Sequence, residues 1–301
     1  MVFILKKNNF KRLGLATGLA LSLFAAGCAS DDTETAKDDS VGKGQEIDLA
    51  YVEWDTEVAS TNVVGSVLEG LGYDVTLIPL DNAVMWEAVS TGEADAMVAA
   101  WLPGTHAAQY EKYGDDVDNL GENLSGAKLG LVVPKYMDVD SIEDLTDEAS
   151  KTITGIEPGA GVVAATEKTM EEYDNLGDWK LETSSSGAMT VALKQAIENE
   201  EDIIVTGWSP HWMFATYDLK YLADSKETFG GVETINTMAR KDLEKDMPEA
   251  YKVLDQFNWT TEDIESIMLA ISEGEDPKDA AEAWIDDHAE EVAAWTKGVS
   301  K

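Results

Sequence analysis

Three of the nine tryptophans in this 301-residue chain share one kind of position. Trp54 closes the segment IDLAYVEW, Trp101 closes ADAMVAAW and Trp208 closes DIIVTGW. Each segment reads as a β-strand followed by a turn. Indole faces attract cations, and each contact contributes about 0.5–2 kcal/mol depending on desolvation. Any one of these tryptophans could be an ordinary core residue, but their shared position favours an aromatic cage.

Such a cage suits a cation whose charge is spread over methyl groups. A quaternary ammonium has no N–H to donate, so a cage without acceptors costs it no hydrogen bond. A primary ammonium would be left with unpaired donors, which is unfavourable in a buried site. The six remaining tryptophans fall within or beside amphipathic segments and are predicted to pack in the core or on the surface: Trp86, Trp179, Trp212, Trp259, Trp284 and Trp295.

A glycine-rich turn, GIEPGAGVV (155–163), follows a predicted strand and opens a predicted helix. The backbone N–H groups of Gly161 and Val162 would lie at the helix N-terminus, which is a ready site for an anion. Many such turns carry glycine without binding anything. The turn lacks the Lys-Ser/Thr pair of a phosphate-binding loop and the third glycine of a dinucleotide fingerprint.

Two histidines follow cage tryptophans closely. His106 lies five residues after Trp101 and could donate a hydrogen bond to a carboxylate beside the cage, although a surface or helix-capping position is an equal alternative. His211 lies three residues after Trp208 and could support the cage without touching a ligand. A cage for a cation together with donors for a carboxylate fits a trimethylammonium zwitterion.

The motifs of common enzyme classes are missing from the sequence. There is no Gly-x-Ser-x-Gly elbow and no His-Glu-x-x-His, and Cys28 is the single cysteine. Carboxylate pairs are too abundant to indicate a catalytic site. We therefore expect a protein that is not an enzyme and that has no catalytic residue, no metal site and no cofactor.

The hydrophobic pattern from residue 47 onward predicts an α/β fold. Predicted strands cover 47–54, 73–80, 94–101, 127–136, 179–184, 202–208 and 232–243, and 151–161 is predicted to be a strand followed by the glycine-rich turn. Predicted helices cover 60–72, 82–92, 162–173, 186–199 and 247–257. Thr260 or Thr261 is predicted to cap a further helix, and Asp276 with Pro277 to start the last one. Alternating strands and helices favour parallel sheets, in which ligands gather beyond the carboxyl ends of the strands.

The alternation occurs in two series, which predicts two lobes with a ligand cleft between them. Lobe I is predicted to comprise 47–135 and 232–301, and lobe II 136–231. Two chain crossings between lobes are typical of proteins that close on a ligand by a hinge motion.

The N-terminal segment reads as an export signal. Four basic residues precede a fourteen-residue apolar run, Leu13 to Ala26, which is too short for a membrane-spanning helix. The run ends at FAAGC, so residues 1–28 are predicted to be a lipoprotein signal peptide with Cys28 as the acylated residue. Ordinary cleavage that leaves a free thiol is the alternative. Residues 29–46 contain almost no apolar side chains and are predicted to form a flexible tether.

The chain is strongly acidic, with 59 Asp and Glu against 22 Lys and Arg and a net charge of −37. Because the first 28 residues carry four basic and no acidic side chains, the rest of the chain has a net charge of about −41. Such a surface repels nucleic acid, which excludes that class of partner. We interpret the scattered acids as an adaptation to a salty exterior, where ions screen their mutual repulsion.

Four motifs, YVEWDTEVAST, AAWLPGTH, GIEPGAG and GWSPHWMF, together resemble the extracellular glycine betaine-binding lipoproteins of OpuA-type osmoprotectant ABC transporters. The resemblance covers essentially all of residues 46–301. It implies a type II periplasmic-binding-protein fold and a lipid-anchored, extracytoplasmic monomer that delivers its ligand to a permease. It also implies that Trp54, Trp101 and Trp208 surround the quaternary ammonium, and that His106, Gly161 and Val162 contact the carboxylate. A purely sensory role, or a preference for proline betaine, carnitine or choline, remains an alternative.

Overall fold

The computed structural model describes residues 40–299. Cys28, the predicted signal peptide and most of the predicted tether lie outside the described residues. No described helix combines the length and the apolar character needed to cross a bilayer.

The first half of the described chain consists of βα units that lead into one long strand. Its elements are β1 (Glu46–Tyr51), α1 (Asp55–Gly70), β2 (Asp74–Pro79), α2 (Asn82–Thr91), β3 (Ala96–Leu102), α3 (Ala107–Tyr113) and β4 (Val117–Pro134). β1 pairs in parallel with both β2 and β3. The segment 96–101 of β3 is buried throughout, as expected for a strand covered on both faces.

The second half repeats the alternation. Its elements are β5 (Thr152–Gly155), α4 (Gly161–Glu172), β6 (Lys180–Thr183), α5 (Ser186–Asn199), β7 (Ile204–Ser209), α6 (Met213–Thr216) and β8 (Leu219–Tyr221). β5 pairs in parallel with both β6 and β7. The chain then returns through β9 (Glu233–Arg240), which pairs antiparallel with β3 and β4.

The strands form one nine-stranded sheet in the order β2-β1-β3-β9-β4-β7-β5-β6, with β8 on β4. β4 joins the two halves, because it pairs with β9 up to Ala127 and with β7 from Lys128 onward. The predicted α/β class with parallel βα units is confirmed, and the strands that link the halves add antiparallel pairings. The lobe boundaries proposed from the sequence stay predictions.

The C-terminal segment is helical. Its helices are α7 (Leu243–Asp246), α8 (Pro248–Gln256), α9 (Thr261–Ser272), α10 (Pro277–Asp287) and α11 (Ala289–Trp295). Thr260 caps α9 through a reciprocal pair of bonds with Asp263, and Asp276 caps α10, whose first residue is Pro277. α9 and α10 pack against α1.

Three of the tryptophans predicted to serve packing form an aromatic cluster in this C-terminal segment. Trp284 stacks on Trp295 with ring centroids 5.6 Å apart, and Trp259 meets Trp284 edge-on at 6.0 Å. All three side chains are buried, so the prediction that they serve packing is confirmed.

The prediction for the start of the first helix was wrong. Ser60 and Thr61 resemble caps, but α1 already begins at Asp55, directly after Trp54. Asp55 and Glu57 occupy its first turn, where a negative charge is favoured by the positive end of the helix dipole. Trp54 is consequently not the last residue of a strand, since β1 ends at Tyr51 and Trp54 is the N-cap of α1.

Candidate functional site

The three tryptophans singled out in the sequence meet in one cavity with an empty volume of about 290 Å³. Its lining residues come from both halves of the sheet: Trp54, Thr56, Trp101, Thr105, Leu129, Ile156, Ala160, Gly161, Val162 and Trp208. Five of the six residues predicted to bind a ligand are therefore brought together. The sixth, His106, is not part of this lining.

Different elements supply the three indoles. Trp54 lies just before α1 and Trp101 near the end of β3, so both come from the first half. Trp208 lies near the end of β7 in the second half. Each is less than one tenth exposed, so a cation entering the cavity would be largely desolvated, which strengthens cation–π attraction.

The indole N–H groups of two cage residues are bound to carboxylates. Trp101 Nε1 donates to Glu57 Oε1 at 2.8 Å. Trp54 Nε1 donates to Glu157 Oε1, which belongs to the glycine-rich turn of the other half. The neighbour of Trp208 is a histidine instead of a carboxylate. The His211 ring meets Trp208 edge-on, with ring centroids 4.6 Å apart.

Another wall of the cavity is the N-terminus of α4. Gly161 and Val162 are the first two residues of this helix, and the first N–H groups of a helix have no acceptor within it. The positive end of the helix dipole adds to their affinity for an anion. A carboxylate is the kind of group that this wall could bind.

Gly161 also allows the two halves to approach each other closely. A Cβ atom at this position would lie 2.4 Å from Thr105 Cγ2 and 2.7 Å from the Thr105 carbonyl oxygen. Thr105 belongs to the turn after β3, and Glu233 of β9 holds that turn by accepting bonds from Gly104 N, Thr105 N and Thr105 Oγ1. The close contact requires glycine at position 161.

His106 lies behind the cage. Its ring is fully buried, stacks on Trp54 at 5.9 Å and meets Trp86 edge-on at the same distance. Burial lowers the pKa of His106 to about 3, so the ring is neutral at physiological pH. Nδ1 accepts a bond from Trp101 N at 3.0 Å, which places the proton on Nε2.

The Nε2–H of His106 has no partner among the described residues. A buried donor without a partner is costly, and a ligand carboxylate would satisfy it. The contact between His106 and a carboxylate stays a prediction.

Glu57 is a buried acid beside the cavity that the sequence did not reveal. Its side chain is 1% exposed, and Thr56 Oγ1 donates to Oε2 while Trp101 binds Oε1. Burial raises the pKa of Glu57 to about 7, and the two donors limit the rise. Both donors line the cavity, so Glu57 contacts two of its wall residues without lining the cavity itself.

Asp55 connects the two halves at the edge of the site. Its Oδ1 accepts from Trp212 Nε1 at 2.6 Å and its Oδ2 accepts from Ser186 Oγ at 2.9 Å. His211 Nε2 lies 3.4 Å from Oδ2. We call Asp55, Ser186, His211 and Trp212 the Asp55 clasp.

The pKa of Asp55 reflects its partners in the clasp. Burial acts to raise it, but the hydrogen bond and charge of His211, with the donors Trp212 and Ser186, outweigh burial and lower it to about 2. A further contact between the halves is the bond from Asn82 Nδ2 to the Gly159 carbonyl at 3.2 Å. The described state is therefore one in which the halves touch around the cavity.

The residues that sequence reasoning missed are mostly those that hold the cage in place. Trp212 was assigned to packing, yet its indole binds Asp55 across the halves. Asp55 and Glu57 stand in the motif YVEWDTEVAST, where their position directly after a cage tryptophan is the one available signal. Within residues 40–299, no group of three or more His, Cys, Asp or Glu side chains could hold a metal ion.

Comparison with known proteins identifies relatives that match most of the described fold. Residues 45–287 match the family described as the substrate binding domain of ABC-type glycine betaine transport systems. The crystal structure of lactococcal OpuAC in its closed-liganded conformation with glycine betaine is 62% identical, covers 84% of this chain and 100% of its own, and superposes with a TM-score of 0.82. The glycine betaine/L-proline-binding protein ProX from Borrelia burgdorferi is 32% identical, covers 84% and 97% of the two chains, and has a TM-score of 0.81.

A curated relative is the glycine betaine/carnitine transport binding protein GbuC of Listeria monocytogenes. It is 47% identical over 176 residues, and the match spans 58% of each chain. The aromatic cavity between two α/β halves and the extent of the family match lead to one assignment: the chain belongs to the family of substrate-binding domains of ABC-type glycine betaine transport systems, with the type II periplasmic-binding-protein fold.

Proposed function

We propose that this protein captures glycine betaine outside the cytoplasm and delivers it to the permease of an ABC importer for osmoprotection. The observation that carries the proposal is the cavity in which three indoles from both halves meet the N-terminus of α4. The indole faces suit the trimethylammonium group and the helix N-terminus suits the carboxylate. The family assignment supports the same ligand class.

In this proposal Trp54, Trp101 and Trp208 surround the cationic head. Gly161 N–H, Val162 N–H and His106 Nε2–H bind the carboxylate. The protein performs no bond chemistry, because its task is to bind the zwitterion and to release it at the transporter. Closure of the halves, through the Asp55 clasp and the Glu157–Trp54 bond, keeps the ligand out of water.

Isothermal titration of the purified protein tests the proposal. We expect glycine betaine to bind, and choline, which lacks a carboxylate, to bind more weakly. Proline betaine and carnitine retain the carboxylate and differ in bulk, so their order reports the size of the site. Absence of binding by all four ligands would contradict the proposal, as would turnover of betaine or choline.

The cage itself is tested by Trp54→Ala, Trp101→Ala and Trp208→Ala, each measured separately. Every variant should lose more than tenfold in affinity, which corresponds to more than about 1.4 kcal/mol. Trp179→Ala is the matched control, since Trp179 is buried but does not line the cavity. Wild-type affinity in two of the three cage variants would refute the cage.

We further propose that Cys28 carries a lipid anchor that holds the monomeric protein at the outer face of the membrane. The support is the sequence alone: an apolar run that ends at FAAGC, with no other cysteine in the chain. Mass spectrometry of the membrane fraction should find the mature N-terminus at Cys28 with diacylglyceryl and acyl groups. Cys28→Ala should remove the modification and release the protein from the membrane, and a membrane-bound Cys28→Ala variant would contradict the anchor.

A further inference from the structure

Glu57 stands out among the buried ionisable groups because neither the fold nor the proposed ligand contacts account for it. Its carboxylate is 1% exposed and does not line the cavity. Among the described residues it forms no ion pair with a lysine, arginine or histidine. A buried anion without a cationic partner is strongly unfavourable, so the position demands an explanation.

The hydrogen bonds of Glu57 lead directly to the cavity. Oε1 accepts from the indole of Trp101 at 2.8 Å and Oε2 accepts from the hydroxyl of Thr56. Trp101 and Thr56 both line the cavity. The carboxylate therefore lies at the nitrogen edge of the Trp101 ring, and a cation held against the face of that ring would supply it with a counter-charge.

We propose that Glu57 is a positioning residue for cation recognition, which fixes the Trp101 indole through its N–H and attracts the ligand's quaternary ammonium as a buried anion at the edge of that ring. The proposal rests on the proposed function. Withdrawal of the N–H proton toward the carboxylate makes the indole face more negative, and the low dielectric of the interior lets the charge act on a cation held against that face. A carbon head group of the same shape would gain nothing from this charge.

The other charged and titratable groups near the cage do not replace Glu57. Asp55, on the same helix, is occupied by the clasp and opposes ionisation of Glu57. His106, after β3, is kept neutral by burial, which lowers its pKa to about 3. Glu157, in the turn before α4, binds Trp54 from the other half, so a variant there would combine a change of charge with a loss of contact between the halves.

Glu57 ionises in an accessible pH range, because burial raises its pKa to about 7. The attraction should therefore weaken as the pH falls from 8 to 5.5 and Glu57 takes up a proton. Glu57→Gln retains a carbonyl oxygen that can accept from Trp101 but removes the charge, so it separates positioning from electrostatics. Glu57→Ala removes both.

The experiment measures the affinity of two ligands for wild type, Glu57→Gln and Glu57→Ala between pH 5.5 and 8. The ligands are glycine betaine and 3,3-dimethylbutanoate, in which carbon replaces the positive nitrogen. At pH 8 we expect Glu57→Gln to lose about tenfold in glycine betaine affinity and Glu57→Ala to lose more. Wild type should lose several-fold between pH 8 and 5.5, and Glu57→Gln should show no such dependence.

The preference for glycine betaine over the carbon analogue should fall in Glu57→Gln, and this readout would not change if Glu57 served packing alone. Glu69→Gln, on the exposed side of the same helix, is the control and should behave as wild type. If Glu57→Gln does not fold, the proposal still requires that the wild-type preference for glycine betaine over the analogue decrease as the pH is lowered from 8 to 5.5.

Wild-type affinity and pH profile in Glu57→Gln would overturn the inference while leaving the proposed function intact. A wild-type protein that binds no betaine at all would instead overturn the proposed function.

Discussion

At the scale of single residues, the cavity depends as much on the absence of a side chain as on the indoles. Gly161 places the α4 N-terminus against Thr105, where a Cβ atom would lie 2.4 Å from Thr105 Cγ2. The backbone carbonyl oxygen of Thr105 would lie 2.7 Å from the same Cβ and cannot rotate away. The first helical position of the wall proposed to bind the carboxylate is thus also a contact between the halves.

Replacing Gly161 by alanine should weaken ligand binding at least tenfold. The added methyl group would collide with Thr105 when the halves close and so prevent full closure. It would meet no obstacle when the halves are separated. Thermal unfolding of the ligand-free protein should therefore change little, while calorimetry should show the loss of affinity. Gly187→Ala is the matched control, because Gly187 also lies in a first helical turn and its Cβ would contact nothing within 4 Å. Equal affinities of the two variants would contradict the argument.

His106 should distinguish ligands with and without a carboxylate. We expect His106→Ala to weaken glycine betaine binding about tenfold, because Nε2–H is the proposed donor. Choline shares the cage but has no carboxylate, so its affinity reports any disturbance of Trp54, which stacks on His106. Parallel titrations with both ligands check this prediction, and equal losses would argue against a carboxylate contact.

At the scale of elements, the βα rhythm and the ends of β3 and β7 could be predicted from the sequence, and the end of β1 and the start of α1 could not. Buried β-branched and small residues mark β3 and β7, and the two strands end at one cavity, which Trp101 and Trp208 both line. Ser60 and Thr61 resemble caps, yet they are buried inside α1. The local cap signal was overridden by the tertiary contacts of Asp55, and a sequence cannot show contacts that are made 131 and 157 residues away.

The same limit applies to the carboxylates that hold the cage. With 59 acidic residues in the chain, composition does not distinguish Glu57 and Glu157 from acids on the solvated surface. The cage indoles could be predicted because tryptophan is rare and each of the three lies at or just after the end of a buried strand. Their partners emerge only when the fold brings the α1 N-terminus, β3 and the glycine-rich turn together.

Loss of the Asp55 clasp should shorten the lifetime of the closed state. Asp55→Ala removes the acceptor for Trp212 and Ser186 and the anion near His211, all of which lie in the other half. We expect ligand dissociation to become about tenfold faster with little change in association, since contacts formed after encounter mainly affect the off-rate. Stopped-flow tryptophan fluorescence measures both rates. The control variant Glu69→Ala removes a surface carboxylate that pairs with Lys278 at the far end of α1, and its rates should match those of wild type. An unchanged off-rate in Asp55→Ala would show that the clasp does not limit opening.

At the scale of the whole molecule, the excess of acids opposes the compact state. A net charge of about −41 after the first 28 residues implies strong mutual repulsion at low ionic strength. Dissolved ions largely screen the repulsion between exposed charges that lie farther apart than about 10 Å at 0.1 M salt, or about 3 Å at 1 M. We therefore expect the melting temperature to rise as NaCl increases from 0.05 to 1 M in differential scanning calorimetry. A flat or falling melting temperature would contradict the interpretation of the acidic surface as an adaptation to salt.

The pH dependence of stability should contain two opposing contributions from the site. Glu57 has a pKa of about 7 when folded against an ordinary 4.5, so the folded state holds its proton more tightly and this group favours folding increasingly as the pH falls through that window. His106 has a pKa of about 3 when folded against an ordinary 6.5, so the unfolded chain takes up the proton and this group disfavours folding as the pH falls below 6.5. Between pH 4.5 and 6.5 the two contributions oppose each other, each with a slope of up to about 1.4 kcal/mol per pH unit.

Removing one contribution should expose the other. In urea titrations of ligand-free protein, the free energy of unfolding of Glu57→Gln should fall more steeply than that of wild type as the pH decreases from 6.5 to 4.5. The difference in slope should approach about 1.4 kcal/mol per pH unit at most, because His106 then acts without compensation. Glu87→Gln changes an exposed acid and controls for the general effect of removing one negative charge. If Glu57→Gln and Glu87→Gln follow the same curve, Glu57 does not hold its proton in the folded protein. Its negative charge would then already be stabilised by the surrounding groups in the ligand-free protein.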